Sequence, residues 1–445
     1  MKLNKALPAA ALIAAYALCS AAVADTLRDA IDQAIHSNPE VLASASRRLQ
    51  AGEGVKQARA GYLPRVDVTL GRGREWLDSP DTRIYGVNDQ LMTRREASVT
   101  LTQMLFDGFA VRSEVKRQEA RVASTSYNVA ATAEDLALRV VTAYLEVLRR
   151  EETVAEAQDN LDAHERISRQ IRTLAEGGVG RRADIDQAET RLALARASLR
   201  QEQSSLRDAQ TSYLRLVGKA PNALEAPALP DALLPDSEAR VIDEALHAHP
   251  SVKAAEANVA LASAANAGAK AALSPRVDLE LASSRSNDLV RGQVNDRSVM
   301  LRLRYNLFRA GADTARVAET GYQVQEAGEV LNQVRTEVRE NAALAYNANV
   351  TARERIGDLE RYVNASVATR EAYQKQFSIG QRSLLDLLNS EGEVFNARQA
   401  YTTGKFALLA GGYRVLAGMG ELVRGVGVAP PPGMVGQKAP TKNVQ

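Results

Sequence analysis

The strongest constraint on this chain is that it contains its own pattern twice. Adding 211 to the positions of Ile31, Asp32, Ala34, His36, Pro39 and Val41 lands on Ile242, Asp243, Ala245, His247, Pro250 and Val252, and the same step carries Pro64-Arg65-Val66-Asp67 onto Pro275-Arg276-Val277-Asp278. Further along the step becomes 202, taking Leu105-Phe106 to Leu307-Phe308, Ala143-Tyr144 to Ala345-Tyr346, Gly178 to Gly380, Asp184 to Asp386 and Glu189 to Glu391. A register held over so many identities means a duplicated structural unit. The change of step places a nine-residue deletion between Pro275 and Leu307, opposite the polar stretch Gly71 to Arg95, which reads as a surface loop. Two tandem repeats are expected at 25–220 and 236–420, joined by a proline-rich linker at 221–235.

Both ends read differently from this framework. Lys2 and Lys5 precede the apolar run Leu7 to Leu18, and Ala22-Val23-Ala24 fits the small-x-small cleavage rule. Residues 1–24 therefore read as a secretory signal with Asp25 as the first mature residue. The single cysteine, Cys19, falls inside it and follows Leu18, where a lipoprotein signal carries a small residue. The mature chain is expected to have no disulfide, no thiolate chemistry and no lipid on an N-terminal cysteine. Residues 421–445, with Pro430-Pro431-Pro432 and several glycines, read as a disordered tail.

The 56 basic and 54 acidic residues nearly cancel, and removing Lys2 and Lys5 balances them. Bulk attraction to nucleic acid is not expected. No stretch after the signal approaches the ~18 to 20 consecutive apolar residues of a membrane-spanning helix. A membrane role requires strands.

Within each half the elements read helix pair, β-hairpin, long helix pair. Asp25 or Thr26 caps a first helix through about Ser37, Pro39 opens a second, and the Gly61 to Pro64 region stops it. The period then changes to two: Val66, Val68 and Leu70 alternate with Arg65, Asp67 and Thr69, and Val277, Leu279 and Leu281 alternate with Asp278 and Glu280. Strands are expected at about 63–72, 96–106, 274–283 and 297–307. Beyond each hairpin, 111–175 and 312–376 contain no proline. Leu136, Val140, Ala143, Tyr144, Val147 and Leu148 trace one helical stripe, and Ile185, Leu192, Leu199, Leu206 and Tyr213 form a heptad seam with alanines three positions after several members.

The strands have one apolar and one charged face, at the length that crosses a bilayer as tilted strands. Four strands cannot close a barrel, and open edges in lipid leave N–H and C=O groups unpaired at several kcal/mol each. Closure needs other copies: two give a narrow filled bore, and three give twelve strands with room for water. Asp67, Asp278, Glu280, Arg302 and Arg304 as lumen-facing residues favour the wider solution. A soluble half-solvated sheet remains the alternative, in a periplasmic coiled-coil structural protein.

This doubled helix pair, hairpin and long helix pair resembles the TolC family of outer-membrane channels over nearly the whole mature chain. The segment from Phe377-Ser378-Ile379-Gly380-Gln381-Arg382-Ser383 to Asp386 and Asn389, followed by Asn396-Ala397-Arg398, resembles the family's turn between its last two long helices. The resemblance implies a mainly α homotrimer with a 12-stranded outer-membrane β-barrel continued by a long periplasmic α-helical barrel. It also implies two partners, a periplasmic adaptor (membrane fusion) protein and an inner-membrane ABC or other export transporter, and outer-membrane lipid around the barrel. Asp386 and Asn389 would form the periplasmic entrance constriction, and Arg382 with Asp184 its gate pair. Asn389 stands where the family's best-known member has a second acidic residue. The missing lipoprotein cysteine points to type I protein secretion rather than multidrug efflux.

No chemistry-bearing motif competes. There is no phosphate-binding loop, H-E-x-x-H or G-x-S-x-G, and the four histidines show no ligand spacing. The expectation is a conduit without catalysis, metal or cofactor.

Overall fold

The computed structural model describes residues 25–178, 181–288 and 290–430; the expected signal at 1–24 and the tail from 431 lie outside the described residues. The first half comprises α1 (Leu27–Ser37), α2 (Pro39–Ala60), β1 (Arg65–Trp76), α3 (Pro80–Ile84), β2 (Leu91–Phe106), α4 (Ala110–Glu176) and α5 (Arg182–Val217). The second comprises α6 (Glu238–Ala248), α7 (Pro250–Ala271), β3 (Arg276–Asp288), β4 (Gly292–Arg304), α8 (Ala312–Ser378) and α9 (Leu384–Met419), followed by a short α10 (Leu422–Gly425). Corresponding helices have equal lengths of 11, 22, 67 and 36 residues, so the tandem repeat of helix pair, hairpin and long helix pair is the architecture.

Local chemistry sets the element ends. The Thr26 hydroxyl accepts the Asp29 N–H at 3.2 Å and caps α1. Pro39 and Pro250 open α2 and α7, where a missing N–H costs nothing. Gly218 and Gly420 end α5 and α9 at φ of 81° and 73°, a left-handed stop that a side chain disfavours.

The chain divides into two compact units, and the boundary passes inside α4 and α8. One unit takes 133–243, 341–430 and the start of the described chain through 39. Here the stripe Leu136, Val140, Tyr144 and Val147 is fully buried, and Leu192, Leu199 and Tyr213 of the α5 seam are buried with Ala188, Ala195 and Ala209. Each large side chain so buried contributes ~1.5–3 kcal/mol. The Tyr144 hydroxyl lies within hydrogen-bond distance of the carbonyls of Asp25 (2.7 Å) and Glu225 (2.6 Å). Its repeat counterpart Tyr346 donates to the Asp236 carbonyl at 3.2 Å. The two tyrosines thus fasten the linker at both ends, and Tyr413 holds its middle through the Ala228 carbonyl at 2.9 Å.

The segment after 420 departs from the expected disordered tail. It continues as α10, with Leu422 fully buried and Val423 and Val428 nearly so. The Glu134 carboxylate accepts the N–H groups of Leu422 (2.9 Å) and Val423 (3.2 Å), supplying the acceptors that a helix start lacks. Desolvation raises its pKa to about 7, against the two backbone N–H groups that lower it.

The other unit takes 40–132 and 244–340 and holds the sheet, ordered β1-β2-β3-β4 and antiparallel throughout. Its strands run further toward the hairpin ends than the expected 63–72, 96–106 and 274–283. Both ends of the Gly71 to Arg95 stretch, 71–76 and 91–95, are ladder rather than loop, because Arg72↔Arg95, Arg74↔Thr93 and Trp76↔Leu91 continue the pairing after the apolar alternation has stopped. Only 77–90, which contains α3, connects β1 to β2, whereas β3 and β4 are joined across 289–291. At the other end β4 stops at Arg304, short of 307, leaving Leu307 and Phe308 85% exposed.

Candidate functional site

The first candidate site is the sheet itself. Register partners share a face in an antiparallel pair, so the pairings sort every side chain. Val66↔Leu101, Leu101↔Leu281 and Leu281↔Val299 run in one row across all four strands, and Leu279↔Leu301 and Val277↔Leu303 continue that face. The face is exposed: Leu70 is 77%, Val299 73%, and Leu301 and Leu303 each 67% accessible. A contiguous apolar surface of this kind is not solvated in a stable protein.

The opposite face carries the sequence-predicted charges, already paired. Asp278, only 1% exposed, accepts from Arg276 Nε at 2.9 Å and Arg304 at 3.1 Å. Glu280 pairs with Arg302, and Asp67 with Arg65 at 2.8 Å. All five expected lumen residues, Asp67, Asp278, Glu280, Arg302 and Arg304, therefore lie on one face.

The second candidate site lies in the other unit, at the turns between the long helices. Ile167 and Ile171 of α4 pack with Leu384, Leu387 and Leu388 of α9, and Ile185 and Phe377 lean on the cluster. That packing fixes the start of α9 and turns Asp386 and the exposed Asn389 away from the buried leucines. Ser383 caps the helix, accepting the Asp386 N–H at 3.2 Å while its hydroxyl donates to the Asp386 carboxylate at 2.9 Å. Asn389 accepts from Arg191 of α5 at 3.0 Å.

The expected gate pair is not formed within the chain. Arg382 sits 3.6 Å from Asp386, donates to Gln376 at 3.0 Å and lies 4.2 Å over the Tyr373 ring. Asp184 instead accepts its own turn's Arg181 N–H at 3.4 Å. The reason is local: a residue at the mouth of α9 reaches the next helical turn and the end of α8 at little entropic cost.

With this geometry in view, the sequence pattern of the outer membrane efflux protein family matches residues 30–219 and 241–409. The chain belongs to that family. It is 25% identical over 406 residues to the outer membrane efflux protein BepC of Brucella suis, covering 90% of this chain and 87% of BepC. Against the alkaline protease secretion protein AprF of Pseudomonas aeruginosa it is 23% identical over 398 residues, covering 86% and 82%. Its fold matches the CmeC outer membrane channel of Campylobacter jejuni with a TM-score of 0.77 at 14% identity, over 89% of this chain and 86% of that one. This outer membrane efflux family member is thus an outer-membrane channel protein that extends into the periplasm and carries out no catalysis.

One ionic cluster escaped the sequence reading. Glu391 lies among Arg370 at 3.7 Å, Arg398 and Glu156 around a cavity of about 250 Å³, and burial raises its pKa. Arg398 reaches Asp159 at 3.2 Å, and Thr402 donates to Glu156 at 2.6 Å. The signal was available: Glu391 continues the buried spacing Leu384, Leu387, Leu388, so it is a carboxylate on an apolar stripe.

Proposed function

We propose that three copies of this chain close one twelve-stranded barrel and form the outer-membrane exit duct of a tripartite export system, most consistent with type I protein secretion. The observation that carries the duct is a four-stranded sheet with an exposed apolar face, an ion-paired polar face and two unpaired edges, β1 and β4. Lipid covers the apolar face. The edges must pair with neighbouring copies, because unsatisfied backbone groups in hydrocarbon cost several kcal/mol each. The polar face then lines water, and its arginine–carboxylate pairs set conductance without a net charge barrier.

At the turn between α8 and α9, Asp386 and Asn389 form the constriction. In symmetric copies Asp386 gives an acidic ring, moderated by Arg382. Asp184 and Arg382, which do not pair within one chain, act as a gate pair between copies. A periplasmic adaptor and an inner-membrane transporter shift that entrance to its open state, supplying the energy for which the chain has no nucleotide site. AprF, by its name a protein-secretion component, supports a protein cargo; BepC, named for efflux, supports small molecules as the second reading.

The test is the mass of the detergent-solubilised protein by multi-angle light scattering, together with cargo assays on a deletion strain. Three chains per particle and loss of a secreted protein from the medium support the proposal. A stable monomer contradicts the duct, whereas drug sensitivity with normal protein secretion replaces the cargo assignment alone.

A further inference from the structure

The apolar face of the sheet ends in arginine on every strand. On β1 the face runs Val66, Val68, Leu70 and then Arg72 and Arg74; on β2, toward the same end, it runs Leu101, Val99, Ala97 and then Arg95. On β3 it runs Leu279, Leu281, Ser283 and Arg285, and on β4 Leu301, Val299 and Arg297. All five arginines are exposed, and among the described residues none of them forms an ion pair. That whole face, from 66 to 76, 91 to 103, 277 to 287 and 293 to 303 by alternate positions, contains no carboxylate. The contrast at the same level of the opposite face is sharp: Arg94 there is held by Glu75 at 2.6 Å and Glu96 at 3.2 Å.

This arrangement is unfavourable for the protein alone. Arg72 and Arg95 are direct cross-strand partners, and like charges opposite one another destabilise a ladder. Arginine on a lipid-exposed face is tolerated only toward the interface, where its planar fork meets phosphate. The arginines lie toward the hairpin end of the sheet, opposite the strand ends that lead to α2, α4, α7 and α8, and hence at the outward-facing leaflet. One step beyond them Trp76 pairs with Leu91, both exposed on the same face. An indole at that height has the C–H face of a sugar to pack on in a glycolipid, but only water above a phospholipid.

We infer that Arg72, Arg74, Arg95, Arg285 and Arg297 form a binding site on the outer surface of the barrel for a phosphate-bearing glycolipid of the outer leaflet, with Trp76 against its sugars. The site rests on the barrel reading above. Arg72 and Arg95 clamp one phosphate between them, converting their repulsion into two charge-assisted contacts. Arg285 and Arg297, on the adjoining strands, hold a second anionic group. In this arrangement the lipid becomes part of the barrel's fastening on its outward side.

The test is native mass spectrometry of the intact detergent-solubilised oligomer titrated separately with bis-phosphorylated lipid A, dephosphorylated lipid A and phosphatidylglycerol. Bis-phosphorylated lipid A is expected to bind at least tenfold more tightly than either of the others. Its affinity should fall at least tenfold when Arg72→Gln, Arg95→Gln, Arg285→Gln and Arg297→Gln are combined, and fall with added salt. Equal binding of the two forms of lipid A overturns the arginine site, and phosphatidylglycerol binding as tight as lipid A overturns the glycolipid assignment. The ligand comparison uses the unaltered protein, so a variant that fails to assemble leaves the inference testable. A monomeric particle contradicts the barrel instead, which separates the two failures.

Discussion

The two faces of the β-sheet use the same kind of residue in opposite ways. On the polar face each arginine that lies beside a carboxylate is paired with it: Arg276 and Arg304 share Asp278, Arg302 takes Glu280, and Arg94 takes Glu75 and Glu96. On the apolar face five arginines stand with no carboxylate, all beyond the same boundary of apolar residues. One face is neutralised from within and can line water. The other leaves its apolar residues exposed and its arginines without carboxylates. Sidedness in this protein is therefore set by which charges are given partners as well as by hydrophobic pattern.

That comparison breaks most visibly in the middle of the apolar band. Leu301→Arg places a charge opposite Leu279 and should destabilise the assembled protein by roughly 2 to 4 kcal/mol, read as loss of the heat-resistant oligomer on a denaturing gel. Arg302→Leu, one position away on the other face, should leave the oligomer intact and change single-channel conductance. Identical behaviour of the two variants would mean the faces are misassigned.

Two buried carboxylates sharpen the same contrast. Asp278 is neutralised by arginines, whereas Glu134 is held by two backbone N–H groups, and burial raises its pKa from 4.5 to about 7. A carboxyl with a raised folded-state pKa binds its proton more tightly in the folded protein. Its stabilising contribution is full below about pH 4.5 and is lost as pH rises through about 7, a change on the order of 3 kcal/mol. Protection of the Leu422 and Val423 amides against hydrogen exchange, corrected for the intrinsic pH dependence, should fall over that window in the native protein. In Glu134→Gln it should stay flat.

Smaller effects are expected where charges are exposed. Asp278→Asn removes the negative charge shared by Arg276 and Arg304, which are 53% and 62% exposed. Solvent screens both, so stability should drop by only about 1 kcal/mol while the conductance becomes more anion-selective. Asp386→Asn should barely change stability, since Asn also accepts at a helix start. It should lower cation preference in planar bilayers and weaken block by multivalent cations. Arg382→Ser should do the reverse by freeing Asp386, and an unchanged selectivity in both would remove the acidic constriction.

Much of this was legible in the sequence because its signals were periodic. The 211 and 202 steps, the stripe from Leu136 to Leu148 and the seam from Ile185 to Tyr213 each repeat a physical requirement several times; the stripe is buried throughout, and the seam is buried at Leu192, Leu199 and Tyr213 and half-buried at Ile185 and Leu206. The strand ends at Trp76 and Leu91 were not legible, because there arginine occupies the positions that leucine and valine hold further down. Backbone pairing continued where the side-chain alternation had changed its meaning. The fastening of 421–430 was equally hidden: it depends on one carboxylate at Glu134, far away in the chain, and tail composition carries no trace of a distant acceptor. Arg382 illustrates a third limit. The family resemblance implied a pairing with Asp184, but only the geometry shows that Asp386, not Asp184, is its neighbour within the chain.

The central claim, that alternate residues of each strand face lipid and water, is tested most directly by cysteine scanning along β4. The sequence from Asp25 onward contains no cysteine, so single substitutions at Val299, Met300, Leu301, Arg302 and Leu303 report one at a time. A membrane-impermeant maleimide added to the protein in lipid vesicles should label positions 300 and 302 and spare 299, 301 and 303. A fluorophore placed at the spared positions before reconstitution should be quenched by brominated lipid. Labelling of all five positions alike, or the opposite alternation, would contradict the account.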